Sequence, residues 1–161
     1  IFNLKYTLWM FRYKDSKEDE ERNRNRKIDW FKKLILDYNL TNFYEFFENL
    51  ETELSNLKTE NPSEKTKRSV ESAILEQQIN VRRRFIDTLI AVDEPLYDYV
   101  LEKVDELIDN INKAIFDEGI KLSHNPMFQD RVLKPISETR TDILKKMFEY
   151  KGEESNKLLK S

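Results

Sequence analysis

The stretch Val92-Asp93-Glu94-Pro95 separates two long segments that share a helical apolar period. Before it, Val70, Ile74, Gln77, Val81, Phe85, Thr88 or Leu89, and Val92 recur at near-heptad spacing. After it, Leu96, Val100, Val104, Leu107, Ile108, Ile111 and Ile115 continue at three- and four-residue steps. Asp93 is a good N-cap, and Pro95 suits a first helical turn. A connection this short sends the second helix back along the first. The spacing therefore predicts an antiparallel hairpin of about 64–92 and 95–118.

The rest of the chain reads the same way. Ser16 can cap a helix whose apolar face is Ile28, Phe31, Leu34, Ile35 and Tyr38, with Asn39 as its stop. Thr41 or Asn42 can open a second helix over roughly 42–58, with Phe43, Phe46, Phe47 and Leu50 directed into the core. The segment "TENPSE" at 59–64 is a break, with Ser63 as the next cap. Gly119 is expected to stop the hairpin's second arm. A last helix is expected over 127–151, with an interruption at Pro135 and Val132, Ile136, Ile143, Leu144, Met147 and Phe148 on its buried side. Only two Gly and four Pro occur in 161 residues, too few for the turns of an all-β fold. The expected fold is all-α, a four- to five-helix bundle. Residues 1–14 form an apolar lead-in, 15–152 the bundle and 153–161 a tail.

Composition narrows the chemistry. Cysteine is absent, which removes disulfides and thiolate metal sites. The formal net charge of −3 does not suit a generally cationic nucleic-acid binder, although a local patch remains open. Glycine-rich phosphate loops, nucleophile elbows and zinc spacings are missing from the sequence. His124, the lone histidine, has no sequence pattern around it that builds a catalytic or metal site, and is read as a loop residue that caps or bonds locally. Asp98, Glu102, Asp105 and Asp109 make a carboxylate stripe without the histidine of a di-metal bundle. A hairpin folded about Asp93 and Glu94 brings position i near 187 − i. Arg82 or Arg84 is then expected to pair with Glu102, Asp105 or Glu106. No cofactor and no catalytic or metal residue is expected.

Two surfaces remain as candidates. Nine of the first thirteen residues are apolar or aromatic, and a basic segment follows. Residues 12–33 hold nine Lys or Arg against six Asp or Glu, whereas 34–161 hold eighteen against twenty-five. Aromatic residues followed by cations mark the cytoplasmic edge of many membrane segments. Trp9, Arg12, Tyr13 and Lys14 are accordingly membrane-proximal candidates, with packing of 1–13 into the bundle, or a homo-oligomer contact, as alternatives. Lys65, Lys67, Arg68, Arg82, Arg83 and Arg84 are candidates for gripping nucleic-acid phosphate. The leading expectation is a non-enzymatic helical protein-interaction domain, cytoplasmic and attached at the inner face of a membrane. A nucleic-acid-binding module is the second.

Overall fold

The computed structural model describes residues 2–59 and 61–152, with 2–9, 11 and 12 as backbone only. The described residues form five helical rods and no strand. α1 runs over Phe2–Trp30 and continues through wider π-type turns at Phe31–Asp37. α2 spans Leu40–Ser55, with a 3-10 turn at Asn56–Lys58. α3 starts at Glu64, passes through a π turn at Arg82–Ile86 and ends with Asp87–Leu89. α4 spans Glu94–Phe116. α5 covers 125–148, with a π turn at Gln129–Leu133.

α2, α3, α4 and α5 close into a four-helix ring, each packed on its sequence neighbour and α5 returning to α2. The C-terminal turns of α1 sit on this ring beside α2 and the end of α3. Phe43, Phe46, Phe47 and Leu50 are all buried, as the periodicity of α2 predicts. Phe43 meets Phe47 at 4.9 Å and, across to α3, Phe85 at 5.2 Å. Ile74, Val100, Ile111, Val132, Ile136 and Ile143 fill the remaining layers at zero or near-zero exposure. Each such side chain contributes about 1.5–3 kcal/mol through removal from water.

The helix boundaries follow from capping chemistry. Ser63 Oγ accepts the Thr66 amide at 3.1 Å, and Asp93 Oδ1 accepts the Leu96 amide at 3.0 Å. Pro95 occupies the first turn of α4. The Leu89 carbonyl accepts both the Val92 and Asp93 amides, which closes the hairpin within four residues. Asn61 adopts a left-handed φ of 54° in the break before α3, a conformation that asparagine tolerates.

Several expectations are corrected. α1 has no start at Ser16; of the two readings of the lead-in, a separate helix or the first turns of a longer one, the second is what the backbone adopts over Phe2–Trp30. α2 opens at Leu40, with Asn39 rather than Thr41 or Asn42 at its N-cap. The Asn39 side-chain amide donates back to the Leu34 carbonyl and so terminates α1. Leu34 and Tyr38 are exposed, 41 % and 77 %, because the wide turns after Trp30 rotate the face that the sequence period placed inward. Phe148 is likewise 69 % exposed, at the last residue of α5. α4 stops at Phe116, with Asp117 extended, and Gly119 serves a turn by donating its amide to Asp117 Oδ1 at 2.8 Å. Pro135 does not interrupt α5. The π turn just ahead of it rearranges the backbone where proline removes a donor and crowds the preceding carbonyl.

Candidate interaction site

α1 does two jobs along one rod. Its last turns are core, with Phe31 and Ile35 buried. Over 13–26, by contrast, every residue is exposed, a run of four helical turns. A helix that is polar all round draws little stability from tertiary packing. Local contacts support it instead. Asp19 pairs with Arg22 at 3.1 Å, Arg26 donates to Asn23 at 2.9 Å, and Arg26 also lies over the Trp30 ring. Lys17 sits over the Tyr13 ring, and this partner raises the lysine pKa above its usual value. The Phe2–Trp30 helix is about 44 Å long, so these turns form an arm extending from the bundle.

Where the arm departs, it borders an open cleft of about 1420 Å³ against the start of α4 and the end of α5. Lys17, Arg24, Lys27, Lys146 and Lys151 line it, and Tyr99 and Asp93 contribute from α4. Gly152 anchors the base of the arm. Its φ is +67°, and a Cβ there would stand 2.8 Å from the Arg24 carbonyl oxygen and 3.1 Å from Ile28 Cγ1. Phe31 stacks near Tyr150 at 4.9 Å and joins the same two elements. Asp93 Oδ2 is buried and has no hydrogen-bond partner among the described residues.

The membrane-proximal candidates all lie on the arm. Trp9 and Arg12 fall at helical backbone positions whose side chains lie outside the described residues. Tyr13 and Lys14 are exposed, and so is Met10 at 47 %. Among the described residues no helix is long and apolar enough to cross a membrane.

The basic candidates on α3 do not make one continuous patch. Lys65, Arg68, Arg82, Arg83 and Arg84 are exposed, whereas Lys67 is partly covered beside Glu64 at 3.7 Å. Lys65 and Arg83 stand about 27 Å apart along the helix. Between them, exposed Leu75 and Ile79 break the polar surface. The predicted interhelical ion pairs are replaced by other partners. Arg82 approaches Asp87 at 3.8 Å, and Lys103 pairs with Glu106 at 2.7 Å along α4. Asp105 instead accepts from the Gln78 side chain at 2.7 Å. That contact sets the hairpin register near 183 − i, one turn away from 187 − i. The cause is visible in the turn: α3 ends at Leu89 and Asp93 already caps α4, so the pivot lies at Ala91 and Val92.

His124 occupies the N-cap position of α5 without a side-chain capping bond, and it is exposed. Among the described residues no group of three or more His, Asp or Glu side chains is placed to hold a metal ion. Sequence reasoning passed over Trp30 and placed Leu34 inward; both are surface residues, next in the chain to the buried Phe31 and Ile35. Comparison of the chain with protein-family models, curated proteins and solved structures finds no match.

Proposed function

We propose that the chain is a non-enzymatic helical interaction domain that engages a protein partner through the α1 arm and lies near a membrane by its N-terminal segment. The supporting observation is that every residue over 13–26 is exposed, within a helix whose other end is buried in the core. An arm of this kind offers a long charged surface at little cost to the core. Its segregated charge, five acids within 15–21 followed by four cations within 22–27, suits recognition by charge pattern. Positions 2, 6, 9 and 13 share one helical side and carry Phe, Tyr, Trp and Tyr. Aromatic residues beside Arg12 and Lys14 suit the headgroup layer of a cytoplasmic leaflet.

A photoreactive residue in place of Ser16, with one in place of Glu138 on the bundle as control, tests the reading in the native cell. Defined protein adducts from position 16 and none from 138 are expected. Equal labelling at both positions, or none from 16, contradicts it. Co-sedimentation with phosphatidylserine vesicles tests the membrane part: binding is expected, and its survival after Trp9→Ala with Tyr13→Ala contradicts the aromatic contact.

A nucleic-acid module is the second reading, favoured by Arg83 and Arg84, which have no ion-pair partner among the described residues. It predicts binding to single-stranded RNA or DNA that weakens steeply with salt and is lost on replacing Arg82, Arg83 and Arg84 by Ala.

A further inference from the structure

α1 carries a stripe that can complete itself. Trp30, Leu34 and Tyr38 follow one another at four-residue steps and are 45 %, 41 % and 77 % exposed. Traced toward the N-terminus at three- and four-residue steps, the same stripe passes through Arg26, Arg22, Asp19 and Asp15. All four are exposed. It then reaches positions 11 or 12 and 8, which the sequence fills with Phe, Arg and Leu. Along the stripe the order is apolar, basic, acidic, apolar. Reversed, that order is its own complement.

We propose that two copies of this chain pair antiparallel along α1, with residue n opposite about 41 − n of the partner copy. The proposal rests on the reading of α1 as the interaction element and names the partner as a second copy. In this register Arg22 meets Asp19, and Arg26 meets Asp15. The twofold axis repeats both pairs, giving four intermolecular ion pairs. Position 30 falls opposite 11 and position 34 within one place of 8, so exposed Trp30 and Leu34 are covered by Phe and Leu positions of the other arm. A parallel pairing in equal register would set Asp15, Asp19, Arg22 and Arg26 each against its own kind, which is repulsive at every step. The antiparallel arrangement is isologous and therefore closes at two copies. The ion pairs are solvent-exposed and screened by salt, so the association is reversible and weakens as salt rises.

Sedimentation equilibrium of the full chain, with charge swaps, tests this. The wild type is expected to move from dimer toward monomer as salt is raised. Arg22→Glu with Arg26→Glu weakens association by about tenfold or more, and Asp15→Arg with Asp19→Arg does the same. Mixing these two variants restores association as a heterodimer. Orientation is read separately in this cysteine-free chain: Asp19→Cys mixed with Arg22→Cys cross-links faster than either variant alone. A wild type that stays monomeric at every attainable concentration overturns the proposal. So does association unaffected by either charge reversal, failure of the mixture to recover, or association seen only on anionic vesicles. The interaction reading is judged apart from this: a monomeric chain whose position 16 still labels another protein loses the homodimer and keeps the arm, whereas a monomeric chain with no adduct loses both.

Discussion

At the residue scale, Gly152 is the most exacting of the described positions that join the arm to the bundle. Its left-handed φ and the 2.8 Å approach to the Arg24 carbonyl oxygen leave no room for a methyl group. Gly152→Ala is expected to cost about 1–2 kcal/mol from the backbone conformation alone, read as a lower urea midpoint, with a looser arm base. Unchanged stability would mean that neither the left-handed conformation at 152 nor its contact with Arg24 is held in the folded protein. Phe47→Ala opens a cavity in the aromatic layer and is expected to cost about 3–5 kcal/mol. Asp93→Ala removes the α4 cap and costs about 1 kcal/mol. Asp93→Asn keeps an acceptor for the Leu96 amide, so it should retain the capping bond that Ala loses. Lys103 gives the pH dependence. Its bond to Glu106 raises the lysine pKa above 10.5, so the stabilisation is complete below 10.5 and disappears as pH rises through the folded value. Alkaline unfolding of Lys103→Met should lack that component; an identical alkaline limb in both proteins contradicts the assignment.

At the element scale, helices with clear caps were legible from sequence, and helices with altered pitch were not. Ser63, Asp93 and Pro95 mark their boundaries chemically, and the α2 aromatics keep a strict period. The π turns at Phe31–Asp37 carry no comparable sequence signal, so a 3.6-residue period wrongly places Leu34 and Tyr38 inward. The hairpin pairing was off by one turn because the pivot depends on where α3 ends, and Leu89 is not marked by any helix-breaking residue. The arm was half legible. Its apolar start and charged middle are plain in sequence, but continuity through Ser16 follows only from the backbone. An arm outside the core makes an element-level prediction. Glu18→Pro, well clear of the Gly152 contact, costs about 3 kcal/mol of local helix, yet the bundle's stability should change by less than about 0.5 kcal/mol. A large midpoint shift would place 13–26 within the cooperative unit.

At the scale of the whole molecule, the buried core and the exposed charged helix are allotted to different parts. The ring of α2 to α5 buries the aromatic and aliphatic side chains. α1 enters that ring through its last turns, while every residue over 13–26 is exposed. Surface charge legible in sequence could not decide which cations act together. That required the exposure of 13–26 and the interruption of the α3 cations by Leu75 and Ile79. Amide hydrogen exchange of the full chain, measured across a dilution series, tests this division most directly. The account predicts fast exchange over 13–26 in dilute protein, with protection there rising with concentration, while 43–54 and 100–111 stay strongly protected throughout. Protection of 13–26 equal to that of the core at every dilution would contradict it, and would return α1 to the bundle.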